Sequence, residues 1–308
     1  MASTPVSPAF SLHAQGPVAR RQALSRASRW VLLALTMVGV VALILLGVDI
    51  VTTGGERLSW DFLTSYPSRR AEDAGLRSSM LGTVWVLGTT MALAIPLAIG
   101  TSVFIEEFAP KNWFTKVVNL NIANLAGVPS IIYGVLGLTV FVRGVQWQGI
   151  TLVPALGPSI IAGALTLVLM ILPMTIIASS EAIRQVPPSI RDGSLALGAT
   201  RLQTVWFHIL PGALPGIMTG VILAVARAAG ETAALIMIGA FAFIAFDNTR
   251  LGDDFTTVPI QIFNWTIRPQ EAFKVNAAAA IIVLMVAVFG LNLIAVLIRE
   301  RFRRNAGR

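Results

Sequence analysis

EAIRQVPPSIRDGSLALGATRLQTVWFHILP, residues 181–211, is a charged, polar stretch set between two long apolar runs. Pro187-Pro188 stop any helix that arrives from upstream. Ser189 is placed to cap a new helix at Ile190, which would run to Leu197. Gly198 then permits the left-handed corner at which such a helix ends. A second helix, over residues 202–209, leads to Leu210-Pro211. The spacing therefore predicts two short helices at an angle, presented outside the apolar layer. A loop this charged in a chain this oily reads as a handle for another protein. The competing reading is an amphipathic loop resting on lipid headgroups.

Working outward, composition sets the class. The chain has 308 residues, 55% hydrophobic and 12% charged, with a mean hydropathy of +0.77. A soluble domain carries about twice that charged fraction. An integral membrane protein follows. The absence of cysteine excludes disulfides, a thiol nucleophile and thiolate metal sites. The two histidines, His13 and His208, lack ligand spacing, so no metal or other cofactor is expected. A net charge of +8 would suit nucleic acid, but the arginines flank the apolar runs, where they orient a membrane protein. No nucleic-acid partner is expected. No Ser/His/Asp set or paired acids mark an enzyme, and no G-x4-G-K-[ST] phosphate loop is present. Energy for uphill work would have to come from another chain.

Six segments are long and apolar enough to span a bilayer as helices, roughly 29–51, 79–105, 115–142, 157–180, 212–245 and 275–298. The fifth is too long for one straight span, so part of it leaves the bilayer, tilts or breaks. Residues 1–27 read as a disordered tail, 28–305 as the transmembrane domain with the loop 181–211 inside it, and 306–308 as a C-terminal tail. Trp30 to Val51 is longer than a signal-peptide core, so the first span is expected to remain. Gly82, Gly88, Gly127, Gly134, Gly137, Gly163 and Gly220 are candidates for close helix contact. Pro96, Pro129 and Pro173 are candidates for kinks. LSWDFLTSYP (58–67) is expected to lie in the membrane interface.

Orientation follows from Lys and Arg. The N-terminal tail, the 111–116 loop, the 181–211 loop and the C-terminal tail together hold 14 of them, against 8 on the other side. The bias predicts both termini and the loop in the cytoplasm. Glu106 and Glu107, at the inner end of the second span, are expected to be solvated at headgroup level.

Arg227 and Glu231 interrupt the apolar fifth run, VILAVARAAGETAALIMIG (221–239). An arginine mid-membrane costs about 2.5–3.5 kcal/mol on the insertion scale. A continuous helix would put the two side chains, four residues apart, on one face. One reading is a self-neutralising pair that locks the span. The other is a contact for an oxyanion: the guanidinium fork matches two oxygens, and a nearby carboxylate favours an anion that carries a proton.

Anchored on Gly198, the loop resembles the E-A-A-x3-G-x9-I-x-L-P pattern of permeases from binding-protein-dependent ABC importers. Asp192-Gly193-Ser194 fall over E-A-A and Leu210-Pro211 over L-P. Three positions depart from it: the acid is Asp, the next residue is Gly, and His208 replaces the isoleucine. The segments 186–233, AGVPSIIYG (126–134) and PIQIFNWTIRP (259–269) are similar to phosphate-importer permeases, the last to the PstA type.

The resemblance implies an all-α fold of six transmembrane helices, the type I ABC importer permease fold, in the inner membrane. It implies a coupling role for Asp192, Gly193, Ser194, Gly198, Leu210 and Pro211, and a translocation path that includes Arg227 and Glu231. It further implies inorganic phosphate as cargo. The partners would be a homologous PstC-type permease, two PstB-type ATPases, an external PstS-type phosphate-binding protein and membrane lipid. Alternatives are another oxyanion such as molybdate or sulfate, a secondary transporter or channel, and a signalling scaffold.

Overall fold

A computed structural model describes residues 17–240 and 243–306. It divides into two compact units at Thr52. Most of the first helix, α1 (Pro17–Gly54), forms the first unit, and its apolar side chains from Trp30 to Val51 are exposed almost throughout. Residues 17–27, expected within the tail, are thus helical, whereas residues 1–16 lie outside the described residues.

The second unit is a helical bundle. Its elements are α2 (Trp60–Thr64), α3 (Arg77–Val103), α4 (Trp113–Ala126), α5 (Ser130–Gly137), a short hairpin of β1 (Val145–Trp147) and β2 (Ile150–Val153), α6 (Ile160–Arg184), α7 (Pro188–Ala196), α8 (Arg201–Thr204), α9 (Leu210–Ala229), α10 (Ala233–Met237), α11 (Val258–Thr266) and α12 (Glu271–Ala306). The hairpin was not foreseen from the sequence. Among the described residues, five helical stretches are long and apolar enough to cross a membrane; α4 and α5, bent by 101° at Gly127–Pro129, make a sixth if counted as one broken span. Pro129 forces that break because it cannot donate and restricts the residue before it. Pro96 and Pro173 sit inside continuous helices instead.

The hub is α6, packed against α3, α4, α5 and α9. Leu167, Met170 and Ile171 of α6 meet Val86 and Leu87 of α3, Ala224 and Ala228 of α9, and Phe255. Three buried threonine hydroxyls on these helices satisfy themselves locally. Thr90, Thr166 and Thr175 each donate to the carbonyl four residues back, which removes the cost of an unmade bond in an apolar setting. Another backbone approaches closely at Gly82 and Gly134, and side chains of Thr166, Phe255 and Ala178 press on Gly137, Gly163 and Gly220, but space is open around Gly88.

A second cluster closes one end. Phe62 of α2 is fully buried against Trp265 of α11, their rings 5.9 Å apart. Arg57 lies over the Phe62 ring and donates to the carbonyls of Ala71, Glu72 and Ala74 and to Asn276 Oδ1. The 58–67 segment is therefore partly a packed cap, with Trp60 left outside at 78% exposure. The described residues of the run 212–245 resolve as α9, a break at Gly230 and the short α10, with irregular chain at 243–245.

Candidate functional site

The 181–211 loop is built by three local signals. The first is Pro188, which opens α7 with Pro187 as its cap, so the helix starts two residues before the expected Ile190. Proline at the first helical position lacks only a donor that would go unpaired there. The second is Gly198 at φ +89°, with its N–H on the Leu195 carbonyl and the Ala199 N–H on Ser194. These bonds satisfy the last carbonyls of α7 and turn the chain. The third is a capping box: Thr200 Oγ1 accepts from the Gln203 N–H, and Gln203 Oε1 accepts from the Thr200 N–H.

The second helix differs from the expected separate piece. From Arg201 it runs through a π-helical turn, Val205–Ile209, straight into α9. Pro211, with no N–H, interrupts the helical ladder just beyond that wider turn. The two helices are joined by a hydrogen bond between Ser194 Oγ and Thr204 Oγ1, 3.0 Å apart and buried. Beneath them Ile183, Val186, Val205, Ile209 and Ala213 form their own apolar cluster. Asp192, Gly193, Gly198 and Pro211 remain exposed and Leu210 is half-buried, while Leu197 stands out at 92% exposure.

Glu106 and Glu107 are where the sequence reading needs correction. They lie on a π-helical turn, Phe104–Phe108, at the end of α3, and they are paired rather than solvated. Arg184 donates to both oxygens of Glu106 at 2.9 and 2.8 Å and to Glu181 at 3.0 Å. Arg191 of α7 grips both oxygens of Glu107, whose side chain is only 7% exposed. The bonds it donates to Glu107 raise the Arg191 guanidinium above its ordinary range. A bidentate pair of this kind fixes direction as well as distance. It ties the loop to the end of α3. The only sequence signal for it was two adjacent acids at the same membrane edge as two arginines.

Arg227 and Glu231 also need correction. The helix ends at Ala229, so the two do not share a helical face, and no ion pair joins them. Glu231 Oε1 instead accepts the Ala234 N–H and caps α10. Gly230 was the readable stop signal. Arg227 is exposed, and Met174 Sδ on α6, 3.8 Å away, is its one hydrogen-bond contact among the described residues. Tyr133 of α5 lies within electrostatic reach of it and donates to the Leu125 carbonyl across the α4/α5 break.

Residues 94–305 match the family described as binding-protein-dependent transport system inner membrane component. The chain is similar to a probable ABC transporter permease, YqgI, of Bacillus subtilis: 34% identical, covering 82% of this chain and 88% of the relative. It is 30% identical to the phosphate transport system permease PstA 1 of Mycobacterium tuberculosis, over 73% of this chain and 70% of the relative. The PstA of Yersinia pestis is 26% identical over 90% and 91%. In fold it resembles a chain of a bacterial alginate ABC transporter, with a TM-score of 0.65 at 17% identity, covering 87% of this chain and 93% of that one.

Proposed function

Since the chain belongs to the inner membrane component family of binding-protein-dependent transport systems, with the type I importer permease fold, we propose that it is the permease of an ATP-driven importer of inorganic phosphate. It is a multi-pass membrane subunit of PstA type and not an enzyme. The PstA relatives support phosphate as cargo. ATP hydrolysis is then the work of two PstB-type partners, with a PstC-type permease beside this chain and a PstS-type binding protein outside. The Lys/Arg bias supports both termini in the cytoplasm.

The observation that carries the cargo reading is Arg227. A guanidinium on a membrane-spanning helix, without an acidic partner among the described residues, has its fork free for two oxyanion oxygens. Glu231, turned to α10, contributes by holding the chain just past Arg227. The proposed coupling residues are Asp192, Gly193, Ser194, Gly198, Leu210 and Pro211.

Reconstituted with its partners, the wild-type complex is expected to take up phosphate when ATP is supplied inside, with sulfate and molybdate competing weakly. Arg227→Lys keeps the charge but loses the fork. Loss of about 1.5–3 kcal/mol of charged hydrogen bonding corresponds to uptake lowered roughly tenfold to a hundredfold. Near-normal uptake by a correctly assembled Arg227→Lys complex would refute the role given to Arg227. Equal uptake of molybdate or sulfate would refute phosphate as the preferred cargo.

A second expectation concerns the corner. Nothing lies within 4 Å of a side chain added at Gly198, so Gly198→Val suffers only from its backbone conformation, at about 1–3 kcal/mol. Insertion should be intact while ATPase co-purification drops. Wild-type yields of bound ATPase would argue against the corner as part of the docking surface.

A further inference from the structure

A groove of about 410 Å³ opens between the end of α3, the α3–α4 connection, the end of α6 and the 181–211 loop. Six charged residues line it: Glu106, Glu107, Lys111, Arg184, Arg191 and Arg201. Two of the cations are already used, Arg184 on Glu106 and Arg191 on Glu107. Lys111 and Arg201 have no acidic partner among the described residues. The groove therefore carries two uncompensated positive charges, one on each of two segments that its pairs hold together.

The surroundings say at what depth this groove opens. Each free cation is followed by a Trp-Phe pair: Trp113-Phe114, exposed by 74% and 60%, and Trp206-Phe207, exposed by 63% and 72%. Exposed tryptophan beside a basic residue at the end of a span marks the headgroup layer. Anions at that depth carry phosphate, either esterified in a lipid or free in the aqueous phase beside it.

We propose that this groove is a binding site for a phosphate group, held between Lys111 and Arg201, and that the flanking Trp-Phe pairs make an anionic phospholipid its main source. Occupied, it would bridge the α3–α4 connection to the loop and reinforce what the Arg191–Glu107 pair does. The site rests on the membrane reading of the chain and is independent of what is transported.

The test is a binding titration of the full chain in neutral detergent with short-chain phosphatidylglycerol, short-chain phosphatidylcholine, or inorganic phosphate at fixed ionic strength, followed by native mass spectrometry. Wild type is expected to retain phosphatidylglycerol over phosphatidylcholine. Lys111→Gln and Arg201→Gln should each weaken that retention about fivefold, and the double variant about twenty-fivefold, from the attraction of each basic side chain to an anionic headgroup. If inorganic phosphate binds with the same dependence on both residues and phosphatidylglycerol does not, the site stands and its ligand is the free anion. Retention unchanged in the double variant would overturn the proposal. So would an equal loss in Arg301→Gln, a basic residue that does not line the groove, because bulk charge would then explain the binding. A thermal melt of each variant confirms that it is folded.

Discussion

Arg191→Leu is expected to cut ATP-driven uptake about thirtyfold while the chain still inserts and assembles. The substitution leaves Glu107, 7% exposed, without its bidentate partner. An uncompensated buried carboxylate costs about 3–5 kcal/mol. The Arg191 side chain is 30% exposed, so water replaces part of what is lost; about 2 kcal/mol remains, or a factor of thirty. The chain escapes that cost by letting α7 lift off the end of α3, and under the coupling role proposed for it a loop that is not seated cannot pass on force. Removing both charges with Glu107→Leu and Arg191→Leu should recover most of the uptake, because a buried pair replaced by apolar groups is often close to neutral. Uptake and ATP hydrolysis measured on the same vesicles check this. Wild-type uptake by the single variant, or no recovery in the double, would show that the pair does not seat the helix.

Gly82→Val is expected to lower stability by about 3 kcal/mol or more. A Cβ at Gly82 would stand 2.0 Å from the carbonyl oxygen of Thr256, a backbone atom that cannot rotate away. The same segment is pinned to α3 one residue later, where the Val258 N–H donates to Thr83 Oγ1 at 2.9 Å. Either α3 shifts along its whole length or the segment entering α11 detaches. Gly88→Val, less than two turns further along α3, meets nothing within 4 Å and should be nearly neutral. Melting temperatures of the two variants in one detergent decide the matter; equal values would mean that the close approach at Gly82 is absent.

These two glycines show where sequence reading stops. Both occur in an apolar run with the same local neighbours, and only the segment packed opposite tells them apart. Features fixed by neighbouring residues were legible: the break at Pro129, the corner at Gly198, and six spans when the bent α4/α5 pair is counted as one. Features that depend on distant residues were not. Glu106 and Arg184 are 78 positions apart, and Glu107 and Arg191 are 84; no periodicity links such pairs. Arg227 and Glu231 failed differently. Their spacing invited a shared helical face, but Gly230 ends the helix between them and gives Glu231 a cap to make. The polar residues of α4 and α5 kept largely to their own neighbourhood: Asn121 donates to Val117 one turn back, and Tyr133 bridges only as far as Leu125.

Because the π-helical turn keeps α8 and α9 in one unbroken column, Arg201–Ala229 acts as a single lever of 29 residues, about 43 Å long. Pivoting about its midpoint, such a lever moves each tip by about 0.4 Å per degree. Arg201 is at one tip and Arg227 near the other, so a few degrees of tilt imposed on the first displace the second by more than the tolerance of a hydrogen bond.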